Sequence, residues 1–245
     1  MFAHKKSVQY TAAESLLYPA AQVYDWGSTL VVSPHPNCEV LGCGGAIALL
    51  RQIGFRVHVL FIGDRYEGGK NLKVNDSNDD SSICQRMESI GISKEAATFL
   101  DLRKNLIPLR GKPGFDEAIR LVQNEVEDFQ PDTVLLPYLD QGSQDVKATG
   151  QVVGQAAGLS YYPIRMIEYR PWSWTAANAS RKTATDASKT WRLDIKEVID
   201  QKVRALDGHW QSEYQFPWRN PEQELLIHQA YPWEVFREYS SNEIR

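Results

Sequence analysis

Short apolar runs alternate with helix-patterned segments along almost the whole chain, and that alternation limits the fold more than any other feature. Ser28 to Ser33 reads as a buried strand, and Cys43 to Ile53 as a helix stopped by Gly54. Arg56 to Ile62 is a second strand, followed by a helix over Ser82 to Ile90 that ends at Gly91. Ala97 to Leu102 reads as a short strand. Phe115 to Phe129 carries Ile119, Val122, Val126 and Phe129 at helical spacing. Thr133 to Leu136, bounded by Pro137, is a strand and Asp145 to Ala157 a helix. Ile164 to Tyr169 is a strand and Asp194 to Trp210 a late helix. Such a pattern predicts an α/β, Rossmann-like architecture: a mostly parallel sheet with helices on both faces.

The 245 residues suit one domain, with residues 1–25 as an N-terminal extension and 175–189 as a mobile loop. Asn75 to Ser82 is polar and acidic and reads as a solvated surface loop. With 27 Lys plus Arg against 31 Asp plus Glu, no basic face is expected, hence no nucleic-acid partner. The longest apolar stretch, Val40 to Leu50, holds three glycines and is too short for membrane insertion. The N-terminus leads into no apolar signal region, and three cysteines cannot all pair within one chain. A reduced, cytoplasmic protein is expected.

In an open α/β sheet, ligands bind at the carboxyl ends of the strands. The segment Pro34 to Gly45 lies there, after the strand Ser28–Ser33. Gly42-Cys43-Gly44-Gly45 opens a helix whose amides favour an anion, and Asp64 ends the next strand. A dinucleotide-binding oxidoreductase is one reading. It ranks last, because the glycines come late after the strand and Ile47 stands where a third small residue is needed. Metal chemistry is the other reading: His35 and an acidic residue close behind it on one loop can face one cavity.

Pro34-His35-Pro36-Asn37-Cys38-Glu39, with the glycine-rich helix start behind it, resembles the Pro-His-Pro-Asp-Asp-Glu signature of the PIG-L/LmbE-like family. Leu135-Leu136-Pro137 with Asp145-Val146-Lys147-Ala148-Thr149 is similar to that family's second motif, His-x-Asp-His-Arg-Ala-Thr after a strand. Ile164 to Trp174, Trp191 to Ile195, Lys202 to Ser212 and Pro232 to Phe236 resemble its downstream segments in order. The resemblance implies the fold of zinc-dependent deacetylases of N-acetylglucosamine-type sugars.

It also implies roles, residue by residue. His35 falls at a zinc-ligand position and Asn37 at that of the general-base Asp. Cys38 falls at a ligand Asp and Val146 at a ligand His. Ser143 falls near the oxyanion-stabilising His, loosely, because Asp140 to Asp145 is one residue longer than the usual pattern; Asp145 falls at the Asp that orients that His. Glu39, Asp64, Arg65 and His209 fall around the substrate pocket.

An amide at Asn37 has no basic lone pair to take a proton from water, and Val146 offers no donor. Catalytic zinc normally keeps three protein ligands. The expected protein is therefore a non-catalytic homologue with no cofactor, binding a sugar, a glycoconjugate or a protein partner. The alternative is a hydrolase with a rebuilt centre of His35, Cys38 and a third donor from Asp140, Asp145 or His209. Taken singly, His35 reads as a packed histidine, Cys38 and Cys43 as buried apolar groups, and Glu39 as a brace for the turn. Asp64 with Arg65 reads as a surface ion pair. The tryptophans Trp172, Trp174, Trp191, Trp210, Trp218 and Trp233 read as core more readily than as a sugar-stacking surface.

Overall fold

The structure is a computed structural model, and it describes residues 15–63, 77–102, 107–138, 144–170, 190–210 and 231–239; of residues 77–82 and 207–210 only the backbone is described. The strands are β1 (Leu16–Tyr18), β2 (Thr29–Ser33), β3 (Val57–Gly63), β4 (Ala97–Leu102), β5 (Thr133–Pro137), β6 (Arg165–Tyr169), β7 (Thr190–Asp194) and β8 (Trp233–Glu238). The helices are α1 (Cys38–Gln52), α2 (Ser77–Ser89), α3 (Phe115–Phe129), α4 (Gln144–Gly158) and α5 (Ile199–Trp210). The strands form one sheet in the order β1-β7-β8-β6-β5-β2-β3-β4. Among the described residues all pairings are parallel except those of β8, which runs antiparallel to both β6 and β7.

The period of two along each strand divides the core. Val31, Val59, Phe61, Leu135 and Ile167 face α1, α2 and α5. Their neighbours Leu30, Val32, Leu60, Ile62, Val134 and Leu136 face α3 and α4. Helix α3 buries Ala118, Ile119, Val122 and Val126, the stripe its spacing predicts. Each of the larger of these side chains contributes roughly 1.5–3 kcal/mol by leaving water. The predicted mostly parallel sheet with helices on both faces is what forms.

Four expectations need correction. Residues 16–25 are not an appendage: β1 pairs with β7, Leu16 opposite Trp191, and a 3-10 turn follows at Ala20–Asp25. Helix α1 begins at Cys38, inside the loop expected to precede it. The polar run at Asn75–Ser82 is not wholly a loop, because α2 starts at Ser77. Asp194 closes β7, and α5 starts only at Ile199. Trp191 is core: it stacks on Phe236 at 5.1 Å and meets Trp26 edge-on at 6.0 Å. Trp233 stacks on Tyr231 at 4.9 Å. Trp172, Trp174, Trp218 and the segment 175–189 lie outside the described residues, as does the side chain of Trp210.

Candidate functional site

Strand β2 is where the sheet order turns, toward β3 on one side and β5 on the other. The turn leaving its carboxyl end therefore sits at the crevice that such sheets use for ligands. His35 in this turn reaches the first turn of α4, where its Nε2 lies 3.0 Å from Oδ2 of Asp145. Asp145 is 2 % exposed and lies among the amides of a helix start, which favour a carboxylate. On the opposite side, the Gly63 amide at the end of β3 donates to the Pro34 carbonyl at 3.0 Å. A Cβ at Gly63 would stand 2.4 Å from that oxygen and 2.6 Å from His35 Nδ1. One ring nitrogen of His35 thus meets Asp145, and the other is pressed against the Gly63 backbone.

Asn37 is the N-cap of α1 in a left-handed conformation, φ 82°, which Asn tolerates better than most residues. Its side chain makes no capping bond. Its buried Oδ1 has no hydrogen-bond partner among the described residues. Glu39 does the bracing: its Oε1 accepts from the Asn37 amide at 3.2 Å, and its Oε2 lies 2.8 Å from Ser33 Oγ. Ser33 Oγ is also 2.7 Å from the His35 carbonyl, so one hydroxyl hydrogen faces two acceptors. Burial pushes the Glu39 carboxyl up, with the Ser33 hydroxyl, the Glu39 and Asn37 amides and nearby Arg86 opposing. Tyr169 closes the floor, its hydroxyl donating to the Val32 carbonyl at 2.9 Å.

Cys38 and Cys43 are buried and not in disulfides. Burial, then the charges of Glu234 and Glu39, hold the Cys43 thiol well above its ordinary value. Val146 is buried and apolar beside Asp145. Among the described residues, no three His, Cys, Asp or Glu side chains are grouped so as to hold a metal ion. Asp64, Arg65, Asp140 and Ser143 lie outside the described residues, as does the His209 side chain.

The glycine-rich helix start does hold an anion, but the protein supplies it. Helix α1 breaks at Cys43, φ −145° and ψ 20°, which exposes a fresh set of amides at Gly44 to Ala46. Glu234 of β8 takes two of them, from Gly45 at 2.7 Å and from Ala46 at 2.9 Å. The expectation of an external anion at these amides is corrected by that internal carboxylate, which also leaves no place there for a dinucleotide phosphate. Sequence reasoning passed over Ser33, Gly63, Tyr169, Lys202 and Glu234. A signal existed for two of them: Lys202 falls four residues after Val198 and three before Ala205, at helical spacing, and Glu234 stands between Trp233 and the apolar pair Val235-Phe236.

Residues 30–157 match the family model for PIG-L, described as GlcNAc-PI de-N-acetylase. The chain is 28 % identical over 186 residues to a probable N-acetyl-alpha-D-glucosaminyl L-malate deacetylase 2 of Bacillus cereus, an alignment spanning 74 % of this chain and 81 % of the relative. Its fold is similar to that of an N,N'-diacetylchitobiose deacetylase from Pyrococcus horikoshii, with TM-score 0.66 and 19 % identity over 92 % of this chain and 88 % of the other. It is also similar to a 4-carboxy-2-hydroxymuconate hydratase from Pseudomonas putida KT2440, with TM-score 0.57 and 20 % identity over 76 % and 80 % of the two chains. The shared fold thus carries more than one named chemistry.

Proposed function

The chain belongs to the PIG-L family, and from that premise we propose that it is a non-hydrolytic member, keeping the crevice at the carboxyl ends of β2 and β5 for a sugar or glycoconjugate ligand. The observation that carries this reading is the direct bond between His35 Nε2 and Asp145 Oδ2 at 3.0 Å, next to buried Val146. The donor set does not fit zinc. One nitrogen of His35 is engaged by Asp145, the other abuts Gly63, and Val146 has no lone pair to offer. At the position of the family base, Asn37 cannot accept a proton from water near neutral pH. Without base or metal, amide hydrolysis has no route through these side chains.

A centre rebuilt on Cys38 finds less support. Of the third donors that reading needs, Asp145 is already bonded to His35, which such a centre also requires.

The test is metal content by mass spectrometry, with acetate release from an N-acetylglucosaminyl amide. Wild type is compared with the triple variant Asn37→Asp, Cys38→Asp, Val146→His. Wild type is expected to carry substoichiometric zinc and release no acetate, while the triple variant gains zinc. Stoichiometric zinc with acetate release from wild type would overturn the proposal. Ligand retention is read separately, by titrating N-acetylglucosamine into wild type; absence of heat and of shift changes would remove that half.

A further inference from the structure

We propose that Glu234 and Lys202 are positioning residues: their ion pair splints the break in α1 and thereby holds the His35–Glu39 turn against α4. The break at Cys43 leaves Cys38 to Gly42 as little more than one helical turn, too short to persist unaided. It ends in carbonyls that the second half of the helix does not use, and the second half begins with amides that the first does not satisfy. The ion pair answers both ends with the matching charge. Lys202 Nζ donates to the Leu41 carbonyl at 2.9 Å, on the negative side of the break. Glu234 accepts from the Gly45 and Ala46 amides, on the positive side. The two side chains meet at 2.6 Å, Lys202 being 9 % and Glu234 1 % exposed.

The surroundings fix this splint in place. A Cβ on Gly45 would lie 2.7 Å from Ile195 Cδ1, so the chain after β7 is seated directly on the break. The Ile195 amide donates to the Pro232 carbonyl at 3.0 Å, tying that seat to the approach to β8. At its far end the short turn is braced by Glu39 on Ser33 and Asn37. The turn is therefore held at both ends by carboxylates, one from within and one from β8. Only the second depends on a part of the chain remote in sequence from the residues at the crevice.

The experiment compares Glu234→Gln, which keeps the shape and removes the charge, with Val126→Ala, which weakens the opposite core and leaves α1 untouched. Both are read at the same interval below their own melting temperatures. Expected for Glu234→Gln, and not for Val126→Ala, are amide exchange at Gly44 to Ala46 faster by about tenfold or more, matching gains in iodoacetamide labelling of Cys43, and displaced His35 ring ¹⁵N resonances. Equal exchange, labelling and ring resonances in the two variants would overturn the proposal. If Glu234→Gln does not fold, the double variant Lys202→Met, Glu234→Gln leaves neither charge buried alone and is judged by the same criteria.

Discussion

Nε2 of His35 and Oδ2 of Asp145 lie 3.0 Å apart, joining the turn after β2 to the first turn of α4 across 110 positions of sequence. Replacing Asp145 with Asn keeps the size and removes the charge from that bond. A hydrogen bond to a charged group contributes about 1.5–3 kcal/mol, so the variant should lose stability in that range. Urea unfolding measures it, and an unchanged midpoint would show that the contact contributes nothing.

Gly63→Ala tests the close approach on the other side of the ring. The added methyl would stand 2.4 Å from the Pro34 carbonyl oxygen and 2.6 Å from His35 Nδ1, and the first of these is backbone that cannot swing aside. Overpacking of this kind costs about 1–3 kcal/mol. Thermal unfolding gives the cost, and the His35 ring resonances should move with it. A neutral result would mean that the turn is looser than its geometry implies.

Arg237 and Glu168 form a buried ion pair between β8 and β6, with Arg237 4 % and Glu168 0 % exposed. Arg237→Met takes the Arg237 charge away from a carboxylate in the core and should cost up to about 3–5 kcal/mol. Adding Glu168→Gln should recover much of that loss. Additive losses in a double-mutant cycle would contradict the coupling.

His58 supplies a pH dependence. Its Nε2 lies 2.9 Å from Thr98 Oγ1 and 3.8 Å from Glu125, and burial lowers its pKa from the ordinary 6.5. The unfolded chain then binds the proton more tightly than the folded one. This residue's contribution to stability is complete above 6.5 and declines as pH falls through 6.5 toward the lowered value. Urea midpoints of wild type and His58→Gln between pH 5 and 8 should diverge only on the acid side, with wild type losing more. Parallel curves would refute the assignment.

How far the sequence foretold this molecule depends on distance along the chain. Helix α3 and strand β4 form over the residues their own spacing marks, because a periodic apolar stripe is a local signal. The start of α2 was hidden because Ser77-Asn78-Asp79-Asp80 suits a helix N-terminus as well as a loop. Strand β8 was hidden for another reason: Trp233 to Glu238 becomes a strand by fitting between β6 and β7, partners it finds only in three dimensions. At the site, the two motifs put His35 and Asp145 in two parts of one site, with Asp145 expected to orient the position of Ser143; the direct bond between His35 and Asp145 was not read from them. The carboxylate that fills the glycine-rich helix start was not, since Glu234 is 189 positions from Gly45.

The place of β8 in the sheet also orders assembly during synthesis. Among the described strands, β1 leaves the ribosome first but pairs with β7, and β7 joins the rest of the sheet only through β8. The block β2 to β6 has its strand neighbours as soon as β6 emerges, whereas one flank stays detached until Trp233 to Glu238 is out. A nascent chain halted before that point would carry a premature sheet edge at β6, the kind of unpaired border that recruits other chains.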